Sequence, residues 1–389
     1  MAGSAFLDGV TVLDLSTVGP ASRCSRILAD YGAVVIKVGP TPAKQGVQIQ
    51  PPFFTYSAGR GTRRVRIDLK AARGRAAFLK LAAEAQVMIE SFRPGVAARL
   101  GIGFADVRAV NPAIVYCSTS GYGQQGPQSA WAGHDLNYLA AGGFLAMSGR
   151  RSDGGPALPG ATIADAAGGG MHAAIAILAA LLHARQHRAG AYLDVSVAEG
   201  VLALMGLTID EHLATGRIPA PGHDLLTGRY ACYDLYPARD GKWLSVAAIE
   251  PAFWANLCRA LDLAQWIPSQ LDDAKQGAIR ADFRGVLATR DRDAWVAALA
   301  GNDTCVAPVR EISELADEAQ HASRHVFVDA EHPQHGRFRQ LGPLLAGADR
   351  TPTSYRVPDG TITDTDAVLG AAGLTEAEIS ALRRDGVVA

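Results

Sequence analysis

The first third of this chain alternates short β-branched runs with segments of helical periodicity, and that alternation restricts the folds open to it more than any other feature. Val10 to Leu15 reads as a strand. Cys24, Ile27, Leu28 and Tyr31 then recur at helical spacing, and Val34 to Val38 is a second strand after the stop at Gly32. Leu79, Leu81 and Ala82 belong to the next helix, Val87 to Ile89 to a third strand and Ile114 to Cys117 to a fourth. Strands separated by helices are joined by crossovers, which make neighbours parallel and cover both faces of the sheet. The expected fold class is therefore α/β, with a doubly wound parallel sheet whose ligands bind beyond the carboxyl ends of the strands.

A chain of 389 residues exceeds the size at which one core keeps growing, so a second domain is expected. From about Thr162 to Arg185 the pattern is Ala/Leu/Ile-rich and helical, which puts Asp165 in the first turn of a long helix. Tyr192 to Val195 is a short strand, and Ala198 to Thr215 a further helix leading to Pro219, Pro221 and Gly222, a linker composition. Tyr230 to Tyr236, the turn at Asp240-Gly241 and Trp243 to Ala247 read as a hairpin opening a smaller α/β domain. Helices fill Phe253 to Ala300 before a strand at Val306 to Val309. Thr375-Glu376-Ala377-Glu378 has capping-box spacing ahead of Ile379 and Leu382, so an amphipathic helix is expected there.

A formal net charge of −1 supplies no field to gather nucleic acid or an anionic membrane, and neither is expected as a partner. Cys24, Cys117, Cys232, Cys258 and Cys305 are odd in number and never spaced as CxxC, which argues against a disulfide framework and a thiolate metal site and for a reducing, cytoplasmic setting. Met1 to Phe6 lacks the charged region of a secretory signal. The apolar run Ala173 to Leu182 is short for a bilayer and reads as a buried helix.

Candidate chemistry is scattered. Gly121-Tyr122-Gly123-Gln124-Gln125-Gly126 matches GxGxxG, but Pro127 and the polar residues after it open no helix for a pyrophosphate, so a plain glycine loop is preferred. His183/His187, His321/His325 and His332/His335 have paired spacings with no carboxylate to complete a metal motif, and read as solvated. Seven basic residues crowd Arg60 to Arg75. Most read as solvated surface, with Arg60, between Gly59 and Gly61, a phosphate candidate and Arg99 a second. His134 and Asp165 would suit proton transfer at a carbon acid. On the residues alone, His134 reads more readily as structural, and Asp165 equally as a carboxylate favoured by its helix N-terminus.

Several segments together resemble a known family. Gly9 to Leu15 with Gly19-Pro20, Tyr31 to Val38, Gly59 to Lys70 (compare NRGKRSVxLDLK), Ile89 to Gly101, Asp165 with Gly168 to Gly170, and Cys305 to Val309 are similar, in order, to CoA-transferase family III. Gly133-His134-Asp135-x-Asn137-Tyr138 and Ile249-Glu250-Pro251 resemble its α-methylacyl-CoA racemase branch. Gly39, Gly59 and Thr227-Gly228-Arg229 depart from the usual pattern.

The resemblance implies a large doubly wound domain built from both chain ends: residues 1–215, a linker 216–228, a small α/β domain 229–325 and a return segment with C-terminal helix 326–389. It implies an interlocked homodimer. It makes His134 and Asp165 the two bases, Glu250 the group orienting His134, and the Asp135 N–H an oxyanion donor. Val18, Lys37, Arg60, Ser91, Phe92, Arg99 and Tyr138 become coenzyme A contacts. CoA is carried within the substrate, with no separate cofactor and no metal. Three activities follow: epimerisation of a 2-methylacyl-CoA, CoA transfer through an acyl anhydride on Asp165, or CoA-ester binding without catalysis.

Overall fold

Six strands, β1 (Thr11–Asp14), β2 (Val34–Gly39), β3 (Arg63–Arg66), β4 (Val87–Glu90), β5 (Val115–Ser120) and β6 (Ala191–Ser196), pair in parallel in the order β3-β2-β1-β4-β5-β6. The order reverses between β1 and β4, so the chains leaving their carboxyl ends diverge and open a crevice. The computed structural model describes residues 5–16, 18–42, 53, 59–357 and 362–389. Met1–Ser4, part of the stretch read above for a signal, lie outside them.

Both faces of the sheet are covered. Leu13, Ile36, Val65 and Met88 pack with Phe78 and Leu81 of helix Ala72–Glu84 and with Leu369, Ile379 and Leu382 of the C-terminal helices. Val12, Val35, Ile89 and Val115 pack on the other face with Cys24 and Leu28 of helix Gly19–Asp30 and with Ala173 and Ile177. Successive strand residues feed opposite faces, and two covered faces make the strands continuous apolar runs. Strand β3 was not anticipated, because three of its four residues are arginines. Its Val65 and the following Ile67 are buried, while the arginines sit on the edge strand of the sheet, where charge discourages further pairing.

The apolar run Ala173 to Leu182 lies within the long helix expected from about Thr162 to Arg185. Ala164–His187 spans 24 residues and is, by length and composition, the one helix among the described residues that could cross a membrane. It is π-helical over Ala164–Met171 and α-helical over His172–His187. Ala173, Ala174, Ile177, Ala180 and Leu181 face the core, while Met171, Ile175 and Leu182 are exposed. The helix expected over Ala198 to Thr215 is two, Val197–Leu204 and Gly206–Thr215.

The chain divides into two units: Met1–Phe144, Pro159–Leu207 and Ala322–Ala389 form one, and Leu145–Leu158 with Thr208–His321 the other. The sequence boundaries had assigned 145–158 to the large domain. That segment closes on itself through the Arg150–Pro156 bridge, and its composition announces no change of unit. In the larger unit the return segment adds a second sheet, also unanticipated, in the order β11 (Gly336–Leu341), β10 (Phe327–His332), β12 (Ser354–Arg356). His332, expected to be solvated, is buried in it. Thr375 and Glu378 form the expected capping box.

In the smaller unit the antiparallel sheet β7 (Tyr233–Pro237), β8 (Trp243–Ala247), β9 (Val306–Pro308) packs beneath helices Pro251–Ala260, Gln276–Leu287 and Arg292–Leu299. Trp254 stacks on Phe283 at 5.3 Å and donates its indole N–H to the Trp266 carbonyl at 3.2 Å, and the buried Trp295 donates its own to the Leu287 carbonyl at 2.9 Å, so neither large ring strands a polar group.

Candidate active site

Three chain segments of the larger unit meet beyond the carboxyl end of β1. Val18 is the N-cap of helix Gly19–Asp30, and Gly19 takes φ +77°, a conformation that favours glycine. A Cβ built on Gly19 would lie 4.0 Å from Asp165 Oδ2, so the carboxylate sits over the start of that helix. The helix carrying Asp165 is held there by its glycines. A Cβ on Gly169 would meet Pro20 Cβ at 2.4 Å, one on Gly170 would meet Arg23 Cβ at 2.9 Å, and one on Gly168 the Val197 carbonyl at 3.0 Å. The glycine run is thus a packing device.

The third segment carries His134, which is exposed and caps helix Asp135–Ala141. Its backbone N–H donates to Asn137 Oδ1 at 3.0 Å. Tyr138, buried one turn on, donates its hydroxyl to the Gly133 carbonyl at 2.6 Å, and its ring fills the space that side chains at Gly121 and Gly133 would take. Tyr138 therefore braces the loop before His134. Burial, then the charges of Asp165 and its neighbours, push its pKa up to about 12, so it stays a neutral donor.

Asp135 links the segments that carry His134 and Asp165. Its carboxylate accepts the Asp165 backbone N–H at 2.9 Å, one of the donors a helix N-terminus leaves without an internal partner. Sequence reasoning assigned Asp135 only a backbone role, and no local signal links it to a residue thirty positions away. Burial first and the Asp135 charge second hold the Asp165 carboxyl above its ordinary range, while Arg23 and His134 pull it down. Asp165, His134 and Asp135 thus form one electrostatic cluster.

Comparison with known proteins gives the family. The model of CoA-transferase family III matches residues 7–360. This chain belongs to that family. It is 31% identical to human (Homo sapiens) α-methylacyl-CoA racemase over 98% of this chain and 97% of the relative, and 29% identical to Mus musculus succinyl-CoA:glutarate CoA-transferase over 87% and 80%. The fold is similar to the crystal structure of a CAIB/BAIF family protein from Brucella suis, with a TM-score of 0.76 at 24% identity over 94% of this chain and 98% of that one.

The family III contact residues expected from sequence do not all face solvent. Ser91 and Arg99 are exposed after β4, and Phe92 is half-buried with its N–H on Glu90 Oε2 at 2.7 Å. Lys37 instead turns inward: its ammonium pairs with the buried Asp14 and donates to Ser25 Oγ at 2.9 Å. Arg60 is 2% exposed and reaches the Leu341 carbonyl at 2.7 Å and Asp30 Oδ1 at 3.2 Å, with Tyr355 under its guanidinium at 4.4 Å. A guanidinium buried among these partners is a strut between helix Gly19–Asp30 and the second sheet. This corrects its reading as a phosphate anchor. Glu250 lies in the smaller unit, as the N-cap of helix Pro251–Ala260.

Proposed function

We propose that this family III enzyme, which acts on CoA thioesters, epimerises the α-carbon of a 2-methylacyl-CoA, with His134 and Asp165 as the two bases. The observation that carries the reading is the hydrogen bond from the Asp165 N–H to Asp135, which ties the turn bearing one base to the residue beside the other. One base removes the thioester α-hydrogen, leaving an enolate, and the other returns a proton to the opposite face. The Asp135 N–H opens its helix without an intrahelical acceptor and is the proposed donor to the enolate oxygen. A carboxyl held above its ordinary range accepts and returns a proton more evenly near neutral pH.

Glu250 is the proposed orienting partner of His134, within its own chain or from a partner subunit. We further propose an interlocked cytoplasmic homodimer with CoA carried in the substrate, no separate cofactor, and no nucleic-acid or membrane partner. Support for the dimer comes from the exposed Met171, Ile175 and Leu182, which a second subunit would cover. Phosphates of CoA are assigned to Arg99 and Ser91, both exposed.

The similarity to the succinyl-CoA:glutarate enzyme favours a second reading, in which the Asp165 carboxylate attacks the thioester and an acyl anhydride exchanges CoA between acids. Incubating a 2-methylacyl-CoA in deuterated water, with and without a free acid, separates the two. Deuterium at the α-carbon without the acid supports epimerisation; CoA movement that requires the acid, with no label, rejects it. Neither outcome would leave a CoA-ester-binding protein.

A further inference from the structure

We propose that Arg23 is a positioning residue of this site: its guanidinium, anchored on the Thr162 hydroxyl just ahead of the Asp165 helix, fixes the charge state of the Asp165 carboxylate. The inference deepens the proposed function, since it concerns the same base. Arg23 stands one turn into helix Gly19–Asp30, and its Cβ is where a side chain at Gly170 would collide, at 2.9 Å. Its terminal nitrogen donates to Thr162 Oγ1, three residues before Asp165. Thr162 is itself set by the turn, its carbonyl accepting the Ala166 N–H at 3.0 Å.

The other charges around Asp165 show why such a cation matters. Helix Asp135–Ala141 brings Asp135, which opposes ionisation, its N-cap His134, which favours it, and Tyr138, which remains neutral. His172, Glu199 and Asp194 stand on the other elements packed against the turn that carries Asp165, His172–His187, Val197–Leu204 and β6. Among the groups acting on Asp165, Arg23 is the larger of the two that favour the carboxylate. With burial and Asp135 unopposed, the carboxyl would keep its proton to higher pH and be lost as a base.

The test follows the Asp165 carboxyl itself by 13C NMR in aspartate-labelled full-length protein, its resonance assigned by its loss in Asp165→Asn, alongside the pH profile of kcat/KM. Arg23→Gln should raise the titration midpoint of Asp165 by about 1 pH unit or more, and move the acid limb of the profile with it; Arg23→Lys should restore most of the shift. A purely structural arginine would lower kcat/KM evenly at every pH. A folded Arg23→Gln protein with an unmoved midpoint overturns the proposal. Should that variant fail to fold, Thr162→Ala, which frees the guanidinium from its anchor, decides: a smaller upward shift supports the role and an unmoved midpoint rejects it. The titration needs no turnover. A shifted midpoint in a protein without α-proton exchange would retire the proposed reaction and keep Arg23, whereas normal exchange with an unmoved midpoint would do the reverse.

Discussion

Adding one methyl group at Gly200 tests whether close helix packing sets the Asp165 helix in place. Gly200 lies inside helix Val197–Leu204, and a Cβ there would fall 1.9 Å from the Gly168 carbonyl oxygen, 2.5 Å from its carbon and 2.6 Å from its Cα. The obstacle is backbone, three residues beyond Asp165, and cannot rotate away. Overpacking of this kind costs about 1–3 kcal/mol, and with backbone in the way the upper end applies. Alanine's better helix propensity offsets about 1 kcal/mol. The net expectation for Gly200→Ala is a loss of about 2 kcal/mol, or roughly 4–8 °C in Tm, with activity falling as the helix is pushed off its seat. Gly370→Ala is the control: it lies in helix Thr365–Ala371 with nothing within 4 Å of its Cβ position and no positive φ. There the same substitution should stabilise by roughly 0.5–1 kcal/mol. Urea denaturation of both variants reads the contrast. A Gly200→Ala protein as stable as the wild type, or a Gly370→Ala protein equally damaged, would refute the packing argument.

Asp165→Asn should abolish activity under either reaction, while His134→Ala should stop α-proton exchange but leave appreciable transfer if Asp165 is a nucleophile; deuterium incorporation and acceptor assays on the two variants check this. The same Asp165→Asn change should raise stability at pH 7. The folded carboxyl holds its proton more tightly than the unfolded one, so the native state loses stability as pH rises through the ordinary carboxylate value toward the raised one, and a neutral amide removes that loss. A urea midpoint no higher than wild type at pH 7, with the difference failing to shrink toward pH 4, would reject the sign. Arg60→Ala should cost roughly 3 kcal/mol of stability because it opens a buried pair, with free CoA still binding, whereas Arg99→Ala should weaken CoA binding with stability kept; calorimetry and denaturation on both separate the roles. If Glu250 acts across the dimer, co-expressed and doubly tagged Asp165→Asn and Glu250→Ala subunits should regain activity in the hybrid, and folded hybrids no more active than the parents would place Glu250 within its own chain.

Sequence by itself determined the elements whose causes are local. The parallel strands follow from β-branched runs set between helical periods, the last helix from the capping pair Thr375 and Glu378, and the start of the Asp165 helix from a carboxylate ahead of an apolar stretch. Where a residue's role depends on what stands beside it, the chain gave no sign. Arg60 looked like an accessible cation between two glycines, and only the return of Leu341, 281 residues later, and of Tyr355 makes it a buried strut. Lys37 is drawn inward because the neighbouring strand offers the buried Asp14, and an ammonium leaves water only for such a partner. Nothing local to Gly168 to Gly170 shows that two other helices, Gly19–Asp30 and Val197–Leu204, pack directly on them. The proposed catalytic cluster is of this kind: Asp135 reaches the Asp165 N–H, and Arg23 the Thr162 hydroxyl, only after the crossovers have brought separate helix N-termini beyond the same strand end. Local pattern is written in neighbouring residues; charge pairing and close packing depend on distances that exist only once the chain has folded.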